Sequence, residues 1–157
     1  MQCVLKKMDR HMNPRSTVQI AGHPIHVMLV PFVIGYYTGA FASDLAYAAT
    51  QDPFWARAAF WLIGAGIFVS VFAGTIGFID FLVEPKIRDL SAAWWHLGAN
   101  LAMSGVSIAD LYLRYRAGAE AGSHDYLWLS GLTVLLLLFS GWQGGQMVYR
   151  YRVAVGD

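Results

Sequence analysis

Four long apolar stretches constrain this chain more than any other feature: Ile25 to Ala49, Ala56 to Val83, Ala92 to Leu113 and Tyr126 to Tyr149. Each reaches or exceeds the ~20 residues a helix needs to cross a hydrocarbon core of about 30 Å. Hydrocarbon offers no partner to a backbone amide, so a spanning segment must pair its own, as a helix does. Barrel strands would be shorter and alternating, and Leu132 to Phe139 shows no alternation. The sequence therefore predicts an all-α integral membrane domain over residues 21–157, behind a tail of residues 1–20. Its transmembrane helices are expected at about 25–49, 56–83, 92–113 and 126–149.

The breaks are well marked. Gln51, Asp52 and Pro53 end the first stretch, and Glu84, Pro85, Lys86, Arg88 and Asp89 separate the second from the third. Arg114 through Asp125 forms the longest connection, with Gly118, Gly122 and Ser123 as breakers. Connections this short force neighbouring helices antiparallel, which gives an up-down-up-down four-helix bundle.

Composition agrees with a lipid-solvated surface. Charged residues make up 13% of the chain, against roughly 25% for a soluble domain. The net charge of +1 and the lack of a basic block argue against a nucleic-acid partner. A single cysteine, Cys3, excludes an internal disulfide and a thiolate metal cluster. Lys6, Lys7 and Arg10 are followed by no apolar run before Pro14, so the tail reads as mature polypeptide rather than as a secretory signal.

Orientation follows from basic residues near the membrane ends. With four spans, Lys6, Lys7, Arg10, Arg15, Lys86, Arg88, Arg150 and Arg152 share one side, and Arg57, Arg114 and Arg116 the other. That asymmetry predicts a bacterial inner-membrane protein with both termini in the cytoplasm. Trp55, Trp94, Trp95, Tyr112, Tyr115, Tyr126, Trp128, Tyr149 and Tyr151 fall where interfacial belts belong. Small residues recur at four-residue spacing, at Gly35, Gly39 and Ser43, at Gly66, Ser70 and Gly74, and at Gly141 and Gly145. Such stripes let helices approach closely, and spacing alone does not separate packing from room for a flat cofactor.

Function in a membrane chain concentrates in polar groups that hydrocarbon would exclude. His23 and His26 open the first helix in the run Gly22-His23-Pro24-Ile25-His26. Asp80 lies near the end of the second, His96 one turn into the third with Asn100 a turn deeper, and Tyr149 and Arg150 close the fourth. Antiparallel threading gathers all of these at the cytoplasmic leaflet. Asp44, Arg57, Asp110 and Arg114 fall at the opposite one, where the expectation is ordinary interfacial ion pairs.

Imidazole is a common ligand for iron, copper and zinc. His96 with His23 or His26 can supply two axial ligands to haem b, or hold a metal through His26 and His96. Asp80 would then fix a ring tautomer, Arg150 would meet a propionate through a paired bond, and Tyr149 or Asn100 would serve a quinone or proton step. The plainer reading is a polar network that packs helices. No nucleophile-base pair, phosphate loop or zinc-protease motif is present, so hydrolase and kinase readings have no residues to rest on.

On these motifs the chain resembles a bacterial membrane family known as domain of unknown function 2231. The residues that carry the likeness are Gly22 to His26, then Pro31, Phe32, Ile34, Gly35 and Asp44. Gly77, Asp80, His96 and Asn100 follow, and then Ser140-Gly141-Trp142, Gly144-Gly145 and Val148-Tyr149-Arg150. The resemblance implies a four-helix inner-membrane protein, and an association of some relatives with Rieske-type or cytochrome-like domains points toward redox work. Three functions stay open: a redox-associated subunit, a non-catalytic structural subunit of a larger membrane complex, and a small proton-coupled transporter. Partners would be the lipid bilayer, other membrane or redox subunits, and further copies of the chain in a homo-oligomer.

Overall fold

The computed structural model describes residues 14 and 16–155. Cys3, Lys6, Lys7, Arg10, Arg15 and most of the expected tail lie outside the described residues. Four long helices dominate: α1 (Ile25–Thr50), α2 (Pro53–Val83), α4 (Ser91–Ala117) and α5 (His124–Tyr149). A one-turn helix, α3 (Pro85–Arg88), sits between α2 and α4. Among the described residues the protein is all-α apart from a two-rung antiparallel ladder, β1 (Gln19–Ile20) with β2 (His23–Pro24).

Local chemistry sets the boundaries. Gln51 takes φ 56° and stops α1. Asp52 then accepts a hydrogen bond from Phe54 N–H while Pro53 occupies the first position of α2, where its missing donor costs nothing. Glu84 with Pro85 repeats the device for α3, and Ser123 caps α5 through Asp125 N–H. Ala21 and Gly22 both have positive φ (50° and 79°), the backbone of a type I′ hairpin turn. That turn folds Gln19–Pro24 back on itself just before α1 begins.

Among the described residues three helices, α1, α2 and α5, are long and apolar enough to cross a membrane. Their outer faces carry bare hydrophobic side chains, among them Phe32, Trp61, Phe68, Phe72, Leu135 and Leu138. Water would not tolerate so much exposed apolar surface on a monomer. Helix α4 is long enough as well, but His96, Asn100, Ser104, Ser107, Asp110, Arg114 and Arg116 lower its apolar content. It extends to Ala117, so Arg114 lies within the helix and not in a connection as expected.

Helix α1 packs on α2 and α5, and α4 packs on the same two helices. That places α1 diagonally opposite α4. A central cluster of Val33, Tyr37, Ala73, Met103 and Leu137 joins all four helices at mid-height. A second cluster of Phe81, Ile87, Leu90 and Ala93, backed by Leu97, Met147, Tyr151 and Val153, closes the end where α1 starts.

Candidate functional site

The diagonal arrangement brings His26 of α1 and His96 of α4 together between the helices, close to the end where α1 starts. Their ring centroids lie 6.2 Å apart and their planes are almost perpendicular, at 84°. Each ring is braced by a neighbouring helix. His26 Nδ1 lies 2.8 Å from the carbonyl oxygen of Ala73 on α2, and His96 Nδ1 lies 2.9 Å from that of Ser140 on α5. A carbonyl oxygen only accepts, so in both rings Nδ1 carries the hydrogen and donates. Nε2 is thereby left as a lone pair on each ring. Among the described residues neither Nε2 has a hydrogen-bond partner.

Glycine makes the close seating possible. A methyl group at Gly77 would stand 2.9 Å from His26 Nδ1, and one at Gly144 3.3 Å from His96 Cε1. Around His96 the bracing is richer. Asn100 donates to the Ser140 hydroxyl at 2.7 Å and to the His96 carbonyl at 2.8 Å, and that hydroxyl lies 3.0 Å from His96 Nδ1.

The remaining expected residues go elsewhere. His23 is exposed, and its ring bonds the nearby Ala21 carbonyl at 3.0 Å. Asp80 is buried, but its carboxylate engages a different partner from an imidazole. It accepts from the Ser16 hydroxyl at 2.7 Å, from Thr17 N–H at 2.6 Å and from Val18 N–H at 3.3 Å. Asp80 therefore fastens the segment that precedes β1. Tyr149 is 89% exposed, and the Arg150 guanidinium lies over the Tyr151 ring at 5.6 Å. The seven candidates thus separate into a central trio (His26, His96, Asn100), a strap anchor (Asp80) and three exposed side chains.

A second polar centre lies at the far end of the helices. Arg114 is 2% exposed, Asp110 1% and Asp44 5%. The guanidinium grips Asp44 with two nearly parallel bonds of 2.8 and 2.7 Å and Asp110 with bonds of 2.8 and 3.3 Å. It also lies 4.6 Å from the centre of the Tyr126 ring. These groups are buried, not interfacial. The only surface pair of the four expected charges is Arg57, which meets Glu120 at 2.7 Å. The four-residue spacing of Asp110 and Arg114 was the available signal, but placing Arg114 outside the helix hides it.

What the site defines is a helical membrane protein with a tautomer-fixed imidazole pair held between its helices near one end. The family described as predicted membrane protein DUF2231 matches residues 22–157, and the chain belongs to that family. No curated protein and no solved structure matches the chain significantly.

Proposed function

We propose that the protein is a redox-associated membrane subunit that binds haem b between His26 and His96. The observation that supports this is the pair itself: two diagonal imidazoles whose Nδ1 hydrogens are held by carbonyls, leaving two Nε2 lone pairs. Two metal–nitrogen bonds of about 2 Å plus two half-rings of about 1 Å span about 6 Å between ring centres, and the centroids are 6.2 Å apart. That spacing would let both rings hold one metal ion between them. Among the described residues no group of three or more metal-ligating side chains occurs, which also favours a centre that brings its own equatorial ligands.

His26 and His96 would hold the iron, and the Ala73 and Ser140 carbonyls, by accepting each Nδ1 hydrogen, would fix the orientation of each ring toward it. A bound haem would supply one-electron transfer, with a potential tuned by the groups that hydrogen-bond the two rings. Arg150, exposed at the same end, is available to a propionate, whereas His23 is not needed. The apolar exteriors and the even alternation of long helices and short breaks support four spans, α4 included. Eight basic residues on one side support cytoplasmic termini and an inner-membrane location.

Reduced-minus-oxidised absorption of protein purified in detergent from haem-replete cells tests the reading. Bands of a six-coordinate b-type haem are expected in wild-type and His23→Ala protein, and their loss in His26→Ala and His96→Ala. Colourless wild-type protein with no iron by elemental analysis overturns it and favours a structural subunit.

A further inference from the structure

We infer that the helices are a tandem duplication of one two-helix unit, and that the imidazole pair is a single site on the axis relating the copies. Each copy would contribute one imidazole, one bracing carbonyl and one glycine. The inference deepens the cofactor reading and rests on it for the ligand, though not for the repeat.

The first helices of the two units superpose in register at a separation of 70 residues. His26 falls on His96 and Gly35 on Gly105. Four buried positions of α1 (Val33, Tyr37, Ala40, Asp44) fall on four of α4 (Met103, Ser107, Asp110, Arg114). The second helices superpose at a separation of 67 residues. There Leu62, Gly64, Phe72, Gly74 and Gly77 coincide with Leu129, Gly131, Phe139, Gly141 and Gly144. The buried positions follow again: Ala59, Ile63, Gly66 and Ala73 fall on Tyr126, Ser130, Thr133 and Ser140.

Contacts give the same answer without counting identities. A two-fold axis requires equivalent residues near it to lie together; two such pairs meet directly and a third shares one cluster. His26 faces His96, Val33 and Met103 share the central cluster, and Asp44 grips Arg114 across a separation of 70 residues. Off the axis, equivalent groups repeat equivalent jobs. The Ala73 carbonyl takes His26 as the Ser140 carbonyl takes His96, and Gly77 and Gly144 each lie against the ring of their own unit. Because α1 runs parallel to α4 and α2 to α5, the axis lies along the helices, the geometry of a parallel repeat.

The copies have diverged in two informative places. At the far end, equivalent positions carry opposite charges, Asp44 and Arg114, so unlike units pair and like units repel. At the imidazoles, Asn100 and Ser140 stand where the first unit has Val30 and Ala73. The hydroxyl-amide pair therefore braces His96 alone.

That last difference supplies the test, in the full chain and without any cofactor. Val30→Asn alone half-buries an amide that can reach the His26 carbonyl one turn back but lacks the hydroxyl partner Asn100 has, and should lower the unfolding temperature in detergent. Adding Ala73→Ser should recover most of that drop, because the register places the two groups as Asn100 and Ser140 are placed. Ala73→Ser alone should change little. In nitrogen-15 spectra of the metal-free protein, both histidines should appear as Nδ1–H tautomers, in wild type and in the double variant. Strictly additive effects, a double variant that fails to fold, or different tautomers at the two rings would overturn the duplication. Coupling in a protein that binds no haem supports the repeat and removes only the cofactor reading. Haem bands without coupling remove the repeat and leave the cofactor.

Discussion

Replacing Arg114 by alanine probes the far polar centre most directly. The guanidinium makes four bonds of 2.7 to 3.3 Å to two carboxylates that are all but sealed from the surroundings. Alanine leaves Asp44 and Asp110 facing each other in a low-dielectric interior with no counter-charge. Breaking a buried pair in this way costs about 3–5 kcal/mol. Arg114→Lys keeps the charge but loses the planar fork that serves both carboxylates, so an intermediate loss of about 1–3 kcal/mol is expected. Arg57→Ala is the control. Its pair with Glu120 is half-exposed on both sides, and such pairs are worth about 0–1 kcal/mol. Reversible unfolding in mixed detergent micelles, followed by circular dichroism, reads all three. An Arg114→Ala loss within about 1 kcal/mol of the Arg57→Ala loss would refute the argument that this centre is a buried clasp.

Gly77→Ala places a methyl group against His26 and should weaken haem binding, whereas Gly35→Ala, with open space around it, should leave it unchanged; the absorption spectrum distinguishes them. Asp80→Asn removes the charge that holds Ser16, Thr17 and Val18; hydrogen exchange at Thr17 and Val18 should rise by roughly tenfold, corresponding to about 1.4 kcal/mol, with the α4 core unaffected. In a Cys3→Ser background, Glu84→Cys and Glu120→Cys should react with an impermeant thiol reagent from opposite membrane faces. Labelling of both from one face would show that α4 does not span.

Much of this architecture was legible because it follows from a strong rule. A run of more than 20 apolar residues bounded by Asp52-Pro53 or Glu84-Pro85 admits few structures, and the helices begin and end within a few residues of expectation. The convergence of His26 with His96 was legible too, since it needs only antiparallel threading. Asp80 was harder. Its partners are mostly backbone amides of residues 17 and 18, and amides carry no side-chain signature. The Arg114 clasp was missed because one boundary fell a turn short, which turned a buried cation into a loop residue. Any equivalence of the two halves carries little sequence signal, because contacts such as His26 with His96 and Asp44 with Arg114 are needed to show which register to compare.

The central cluster has a consequence for any charge that reaches the imidazoles. Val33, Ala73, Met103, Leu137 and the Tyr37 ring fill the cross-section between the histidines and the clasp. Hydroxyls beyond it, such as Ser107 and Thr133, turn back onto their own helices instead of forming a chain. From His96 to Asp110 is about 20 Å of helix, with no ionisable side chain of α4 on the way. Within the protein the two polar centres are therefore separated by an apolar plug that offers a proton no continuous relay from one to the other.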